Sequence, residues 1–326
     1  MKQATLETIK EVIPHPNADR LELIQILGYQ CVSEKGLHKA GDRVIYVQPD
    51  NILPDNLEWA EGFRKYAPSR IKAIRLRGEY SEGILVKPSA VGMADNFVMA
   101  HEDGTEWATD LGIVKYEPPL VDCGTAKAGL PFSIPKTDEE RWENIPEHHI
   151  PFGATCDVTL KIDGTSTTFA YNHQTDEFFI CGRTTTFQDN SDNKFAFINE
   201  KYGIEDKLRK TGLSLVIRGE TYGTGIQGLK KNPHAKLPKD FACYSVYQIG
   251  QGYHRIGSPF YFSNLCKELD IPTVPIIEQS VKLTPGLIQH YSTGIEKLDG
   301  SYLEGVVINH ERGSFKIINK YYDSKK

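Results

Sequence analysis

Over its first hundred residues the chain alternates apolar and polar side chains in short bursts rather than at helical spacing. Leu21–Leu27 (Leu-Glu-Leu-Ile-Gln-Ile-Leu) carries apolar groups at every second position over most of its length, the period of a strand with one buried face. Ala4–Val12 alternates more weakly, Tyr29–Ser33 follows Gly28, and Arg43–Val47 follows the Gly41-Asp42 turn. Arg70–Arg77 and Gly83–Val86 lie on either side of Gly78. Strands this short and closely spaced predict a small, closed or partly closed OB-like β-barrel over residues 1–112. The pattern then dissolves. Pro118, Pro119, Pro131, Pro135, Pro146 and Pro151 interrupt the stretch from Ile113 to Pro151, and residues 113–136 read as an interdomain linker. Thr137–Trp142 looks like a short helix, with Thr137 as N-cap and acidic residues in its first turn.

A second domain is expected over residues 137–326. Apolar alternation predicts strands at Thr155–Leu160, Ser166–Tyr171, Glu177–Cys181, Leu213–Arg218, Phe241–Ile249, Gly305–Asn309 and Ser314–Ile318. Helices are expected at Asn193–Tyr202, extending through Lys210, and at Phe262–Leu269 and Pro285–Tyr291. The fold class is therefore α+β: a barrel followed by a domain of antiparallel sheets with flanking helices. Two domains also suit a chain of 326 residues.

Composition narrows the function classes. At 39% apolar and 25% charged residues with net charge −5, any contact with nucleic acid must come from a local basic surface. The cysteines, Cys31, Cys123, Cys156, Cys181, Cys243 and Cys266, are scattered without a Cys-x-x-Cys pair. That argues against a disulfide framework or zinc site and for a reducing compartment. The N-terminus lacks the apolar core of a signal peptide and no apolar run reaches the length of a membrane span, so a cytoplasmic protein is expected. His15, His148 and His149 have no zinc-ligand spacing and read as loop histidines.

Candidate chemistry sits at the ends of the β-rich segments of the second domain. Lys161-Ile162-Asp163-Gly164 is followed in order by Arg183, Arg218-Gly219-Glu220, Glu304-Gly305-Val306-Val307 and Ser314-Phe315-Lys316. Singly each is an ordinary loop or surface residue; the ordered set suits a lysine that becomes loaded with a nucleotide. A lysine attacks well only when burial or neighbouring cations lower its pKa, and Lys316 and Arg183 would supply that push. Attack on the α-phosphate of ATP expels pyrophosphate, and positioning with charge neutralisation carries the rate. Mg²⁺ (or Mn²⁺) is the expected neutraliser, held largely through water by Asp163 and Glu304. Glu220, expected just past a strand, suits the ribose hydroxyls. Lys316 suits the α-phosphate, with Lys320 as a second candidate. Tyr244 and Tyr247, three apart in one strand, should face opposite sides, Tyr244 towards adenine. Gly223-Thr224-Gly225-Ile226-Gln227-Gly228 spells G-x-G-x-x-G, yet Pro233 breaks the helix that a dinucleotide turn requires. Its glycines are expected to let the backbone pass close to a ligand or a neighbouring loop.

With these residues laid out, the second domain resembles the covalent nucleotidyltransferases, that is polynucleotide ligases and mRNA capping enzymes, whose catalytic domain is ATP-grasp-like. The match lies in Lys161–Gly164, Arg183, Gly219-Glu220, Tyr244–Ile249, Glu304–Val307 and Phe315-Lys316. The run Gly219–Gln227 is similar to that of RNA ligases in particular. Ten residues follow Lys316, too few for the C-terminal OB domain of DNA ligases and capping enzymes. The upstream module, with His15–Leu21 similar to the start of tRNA-binding OB domains, resembles instead the ATP-dependent RNA ligases that carry an N-terminal OB domain. That resemblance implies lysyl-AMP formation on Lys161, AMP transfer to a 5′-phosphate, and sealing by a 3′-hydroxyl at nicks whose hydroxyl strand ends in RNA. It implies a nucleotide-site role for Gly164 and for Arg141. Gln248 departs from the aspartate frequent in related ligases. A DNA ligase, a GTP-using capping enzyme and a non-catalytic RNA-binding protein stand as alternatives. Arg70, Lys72, Arg75 and Arg77 form a basic strand that suits nucleic acid, the ATP pyrophosphate, or solvent alone.

Overall fold

The computed structural model describes residues 2–55, 57–116, 126–136, 139–187, 190, 193–226, 232–293, 297–298 and 300–323. Contacts divide the chain into two units. One comprises Met1–Pro119, Arg141–Ile150 and Asp323–Lys326; the other comprises Leu120–Glu140 and Pro151–Tyr322. The division differs from the sequence-based one chiefly in Arg141–Ile150, which packs with the first unit. Among the described residues no helix is long and apolar enough to cross a membrane.

The first unit is the expected OB-fold. Its strands are β1 (Ala4–Thr8), β2 (Glu11–Pro14), β3 (Leu21–Ile26), β4 (Tyr29–Glu34), β5 (Arg43–Val47) and β6 (Asn51–Ile52). After α1 (Glu58–Arg64) come β7 (Ile74–Leu76), β8 (Glu79–Ser81), β9 (Ile84–Val86), α2 (Asp95–Met99) and β10 (Val114–Lys115). β1, β5 and β9 form one antiparallel sheet, and β2, β3 and β4 another. The single strand expected over Ala4–Val12 is two. Ile9 N–H bonds Asp42 O and Lys10 N–H bonds Gln25 O, each at 2.9 Å, so here the chain leaves the β5 side and joins β3. Such a corner is how a small barrel turns. β5 is buried on both faces: Val44 and Tyr46 pack with Ile24, Ile26 and Tyr29, while Ile45 and Val47 pack with Ala4 and Val86.

The basic strand expected at Arg70–Arg77 shrinks to β7. Arg77 turns left-handed at φ 52°, and Arg70 and Lys72 precede the strand in irregular structure. Arg70 pairs with Asp50 at 3.1 Å and lies 4.5 Å over the Tyr116 ring, and Arg75 lies 4.5 Å over Tyr80. His15 is buried, its Nδ1 accepting from Asn17 N–H at 3.1 Å and its Nε2 lying 3.0 Å from Leu76 O, a structural role. Past β11 (Ala126–Ala128), the helix expected at Thr137–Trp142 is absent from its described part. Glu140–Arg141 is extended (β12) and Trp142–Asn144 is a 3₁₀ turn; Thr137 and Asp138 lie outside the described residues. The turn docks on the barrel through Gly28 N–H to Glu143 O (3.2 Å) and Tyr29 OH to Asn144 Oδ1 (2.6 Å).

The second unit holds β13 (Thr155–Lys161), β14 (Thr165–Asn172), β15 (Glu177–Cys181), β16 (Thr185–Phe187), α3 (Ala196–Tyr202), α4 (Ile204–Thr211), β17 (Leu215–Tyr222), β18 (Asp240–Gln248) and β19 (Gly252–Tyr253). It continues with α5 (Phe262–Glu268), β20 (Ile276–Lys282), α6 (Pro285–Thr293), β21 (Lys297–Leu298), β22 (Ser301–Tyr302), β23 (Gly305–His310), β24 (Gly313–Ile318) and α7 (Lys320–Asp323). β11, β16, β15, β14, β17, β18 and β19 lie in that order in one sheet; β24, β23, β13 and β20 lie in that order in a second. Helices α3, α4 and α5 cover the first sheet, Ile198, Leu208 and Leu265 packing with Phe169, Ile217 and Val246. The long helix expected through Lys210 breaks at Gly203, which ends α3 at φ 60°. β17 runs four residues beyond its expected end and takes in Glu220.

Candidate active site

Lys161 is the last residue of β13, and Thr165 opens β14 in the other sheet. Ile162-Asp163-Gly164 is therefore the passage between two sheets, where polar groups from both converge. Lys161 pairs with Gly305 of β23, and Thr165 with Thr221 of β17. The passage is tight: a Cβ on Gly164 would lie 2.3 Å from Thr221 O, and one on Gly305 2.1 Å from Ile317 O. Any side chain at either place would push the strands apart.

Three carboxylates surround the amine. Lys161 Nζ meets Glu304 Oε1 at 2.7 Å, with the two side chains 26% and 18% exposed. Glu304 immediately precedes β23, and its segment is fixed by Asn319, whose N–H bonds Glu304 O at 2.9 Å and whose Nδ2 bonds Leu303 O at 3.1 Å. Glu220 Oε1 accepts from Gly164 N–H at 3.1 Å. Asp163 is the third. This arrangement corrects the expectation of a lysine with a lowered pKa. Burial alone pulls Lys161 down, but Glu304, Glu220 and Asp163 together outweigh it and raise it. The same crowding acts in reverse on the acids. Burial raises Glu220 to about 8 against the attraction of Lys161, with Glu304 and Asp163 adding repulsion. Burial also raises Glu304, against Lys161 and Lys316. One ammonium among three acids leaves excess negative charge, which the site relieves by holding protons.

The remaining candidates fall around this centre or apart from it. Lys316, in β24 opposite Val307, is close enough to Glu304 to act on its charge. Ser166 pairs with Glu220, and its Oγ lies 3.2 Å from Tyr244 Oη. Tyr244 is the extra residue of a bulge, since Arg218 pairs with Ser245 and Gly219 with Cys243; bulges re-aim side chains in this way. Tyr247 packs with Ile134, Ala170 and Val216, whereas Tyr244 packs at the edge of the main core. Arg183 lies in the turn between β15 and β16. Gly182 N–H bonds Thr185 O at 2.9 Å, so Arg183 sits in the hairpin turn itself. Lys320 opens α7. Arg141 belongs to the first unit, where it pairs with Asp50 at 3.4 Å. Arg218 is fully buried against the Tyr247 and Tyr253 rings and donates to Tyr253 OH and Pro135 O, so it ties the domain together. Gly223, at φ 107°, brings the backbone against Pro238 and Lys239, the close approach expected of the glycine-rich run. Gln227 and Gly228 lie outside the described residues.

Three site residues escape sequence reasoning. Asn232, 1% exposed, donates from Nδ2 to Asp163 O at 2.8 Å. Tyr322, 7% exposed, donates its hydroxyl to Asp163 Oδ2. His234 is buried, its pKa lowered by that burial against the pull of Asp163. Nothing in their local sequence marks them, because each acts on a residue 69 or more positions away.

The donor set suits a hydrated divalent cation. Glu304 Oε2 is buried without a hydrogen-bond partner, and the acids outnumber the lysines. Among the described residues no group of three or more His, Cys, Asp or Glu is placed to hold a metal ion.

Comparison with known proteins agrees with this geometry. A family model described as RNA ligase matches residues 155–322, and one described as an OB-fold domain matches residues 3–88. No curated protein sequence matches the chain. Among solved structures, Naegleria gruberi RNA ligase with PPi is similar at 27% identity and TM-score 0.84, the match covering 99% of this chain and 98% of that one. A variant of the same ligase with ATP and Mn matches at 26% identity and TM-score 0.85, covering 98% of each chain. Another, with AMP and Mn, matches at 26% identity and TM-score 0.85, over 99% of this chain and 98% of that one. With the ligase model spanning more than half of its length, the chain belongs to the RNA ligase family.

Proposed function

We propose that this protein is an ATP-dependent RNA ligase that works through a covalent Lys161–AMP intermediate. The observation that carries the reading is the Lys161 amine held 2.7 Å from Glu304, at a crossing between sheets ringed by Glu220, Asp163 and Lys316. The acids keep the amine protonated until nucleotide enters. Phosphates brought beside Glu304 and Lys316 let Glu304 take a proton from the ammonium, and the freed amine attacks the α-phosphorus. A P–N bond forms, the α–β P–O bond breaks, and pyrophosphate leaves. A 5′-phosphate oxygen next displaces lysine from the adenylyl phosphorus. Finally an RNA 3′-hydroxyl attacks the activated 5′-phosphorus, losing its proton and expelling AMP.

Asp163 and Glu304 would hold Mg²⁺ or Mn²⁺ through water; the ion would neutralise phosphate charge. Glu220, protonated near neutrality, can donate to a ribose oxygen as well as accept. Lys316 holds the α-phosphate, with Lys320 as a second cation. Tyr244 and Gly164 border the nucleoside, and Arg183 and Arg141 are further nucleotide contacts. The substrate is a nick whose hydroxyl strand ends in RNA. Cys31, Cys156, Cys181, Cys243 and Cys266 are buried free thiols, which supports a cytoplasmic setting. Incubation with α-labelled ATP or GTP and Mg²⁺ tests the reading. An acid-labile AMP adduct absent from Lys161→Ala is expected, and nicks with an RNA 3′ end should seal much faster than all-DNA nicks. Label from GTP alone, or equal sealing of both nicks, would contradict it.

A further inference from the structure

The segment Asn319–Tyr322 contacts two of the acids around the lysine. Asn319 fixes the backbone of Leu303 and Glu304, and the Tyr321 ring stacks on Tyr302, centroids 5.2 Å apart and 20° from parallel. One residue on, Tyr322 reaches across to the Asp163 carboxylate. The segment thus sets the position of two of the three acids around Lys161, the third, Glu220, being held by Gly164 N–H.

The shape of the Asp163 turn does not depend on Tyr322. Asn232 holds the main-chain oxygen of Asp163, and Asn232 is itself fixed by accepting from His234 N–H at 2.9 Å. The tyrosine hydroxyl bonds the carboxylate rather than the main chain of that turn. Lys161 and His234 feel the Asp163 charge, as do the acids Glu220 and Glu304. Of these, burial lowers the pKa of His234 against the pull of Asp163, and the acids repel Asp163. Without the tyrosine hydroxyl, the Asp163 carboxylate can turn to the Lys161 ammonium, already paired with Glu304. A second carboxylate on that ammonium would tie the nucleophile down further.

We propose that Tyr322 is a positioning residue for lysine adenylylation, its hydroxyl committing the Asp163 carboxylate away from the Lys161 amine while Asn319 aligns Glu304 from the same segment. This rests on the reading of Lys161 as the adenylylated residue. The role belongs to the bond-forming step rather than to ATP capture.

Single-turnover loading of the full chain with ATP and Mg²⁺ tests it, followed by intact mass. Tyr322→Phe keeps the ring and removes the hydroxyl. Its limiting rate should fall about 10- to 100-fold, the cost of a misplaced reacting group, with half-saturating ATP changed less than about twofold and melting unchanged. In an Asp163→Ala background the same substitution should have no further effect, because the acceptor is gone. Asn319→Asp, which keeps the acceptor towards Tyr321 N–H but loses the donor to Leu303 O, should slow loading as well. Wild-type loading rates in Tyr322→Phe, a rise in half-saturating ATP alone, or an equal drop in both backgrounds would overturn the proposal. Failure of the wild-type chain to load at all would instead overturn the Lys161 reading beneath it.

Discussion

The two units handle charge in opposite ways. In the first, Asp50 accepts from both Arg70 and Arg141, and Arg43 meets Asp103 at 2.7 Å, with side chains between 12% and 44% exposed. Water reaches these pairs, and each is of the kind worth about 0–1 kcal/mol. In the second, one lysine and three acids share a crossing between sheets, and burial drives Glu220 up to about 8. Such crowding costs stability and is kept only where something is gained from it. The lesson is that charge in the first unit is settled in partly exposed pairs, whereas in the second it is crowded and buried.

Breaking the crowded side should have the larger consequences. Glu304→Ala frees the Lys161 amine and removes the group that orients it, and sealing should fall about 10²-fold or more in a gel assay with nicked RNA. An undiminished rate would mean that the 2.7 Å contact is incidental. Gly164→Ala forces a Cβ to within 2.3 Å of Thr221 O. A loss of about 1–3 kcal/mol is expected in chemical denaturation, with the adduct yield reduced alongside it.

Glu220→Gln sharpens the electrostatic half of the comparison. Because its carboxyl titrates near 8 when folded against 4.5 unperturbed, the folded chain holds the proton more tightly. That contribution to stability is full below the unfolded value and is lost as pH rises through the folded one. The wild-type melting temperature should fall between pH ~5 and ~8, and Glu220→Gln should fall by about 5–15 °C less. Parallel curves would show that Glu220 does not carry the buried proton. The smallest effect belongs to the first unit: Arg70→Ala, which breaks an exposed pair, should change stability by less than about 1 kcal/mol. It should leave lysine loading within about twofold of wild type; a collapse of loading would assign that surface to the reaction.

What was legible in the sequence follows from distance along the chain. Lys161, Glu220, Glu304 and Lys316 sit beside glycines or in alternating strands, and close backbone approach at Gly164 and Gly305 explains that company. Asn232 and Tyr322 are ordinary residue types, and only the folded chain shows that they meet Asp163. Strand β20 was missed because Ser280, at φ 55°, interrupts it and its register against β13 shifts, which spoils the alternation. Helix α4 merged with α3 on paper because Gly203 is a single weak break in an otherwise helical run. The basic strand failed for the same kind of local reason, a left-handed Arg77 that cuts it to three residues. Glu220, expected just past its strand, lies inside it, where Gly219 admits the Phe241 ring, which a Cβ would meet at 2.3 Å.

The most direct test of the account is peptide mapping by mass spectrometry after incubation with ATP and Mg²⁺ and removal of free nucleotide. An adenylyl group on Lys161, lost in acid and discharged by a 5′-phosphorylated nick, is the expected result. Adenylylation of another side chain, or an unmodified Lys161 under conditions in which the protein seals RNA, would contradict it.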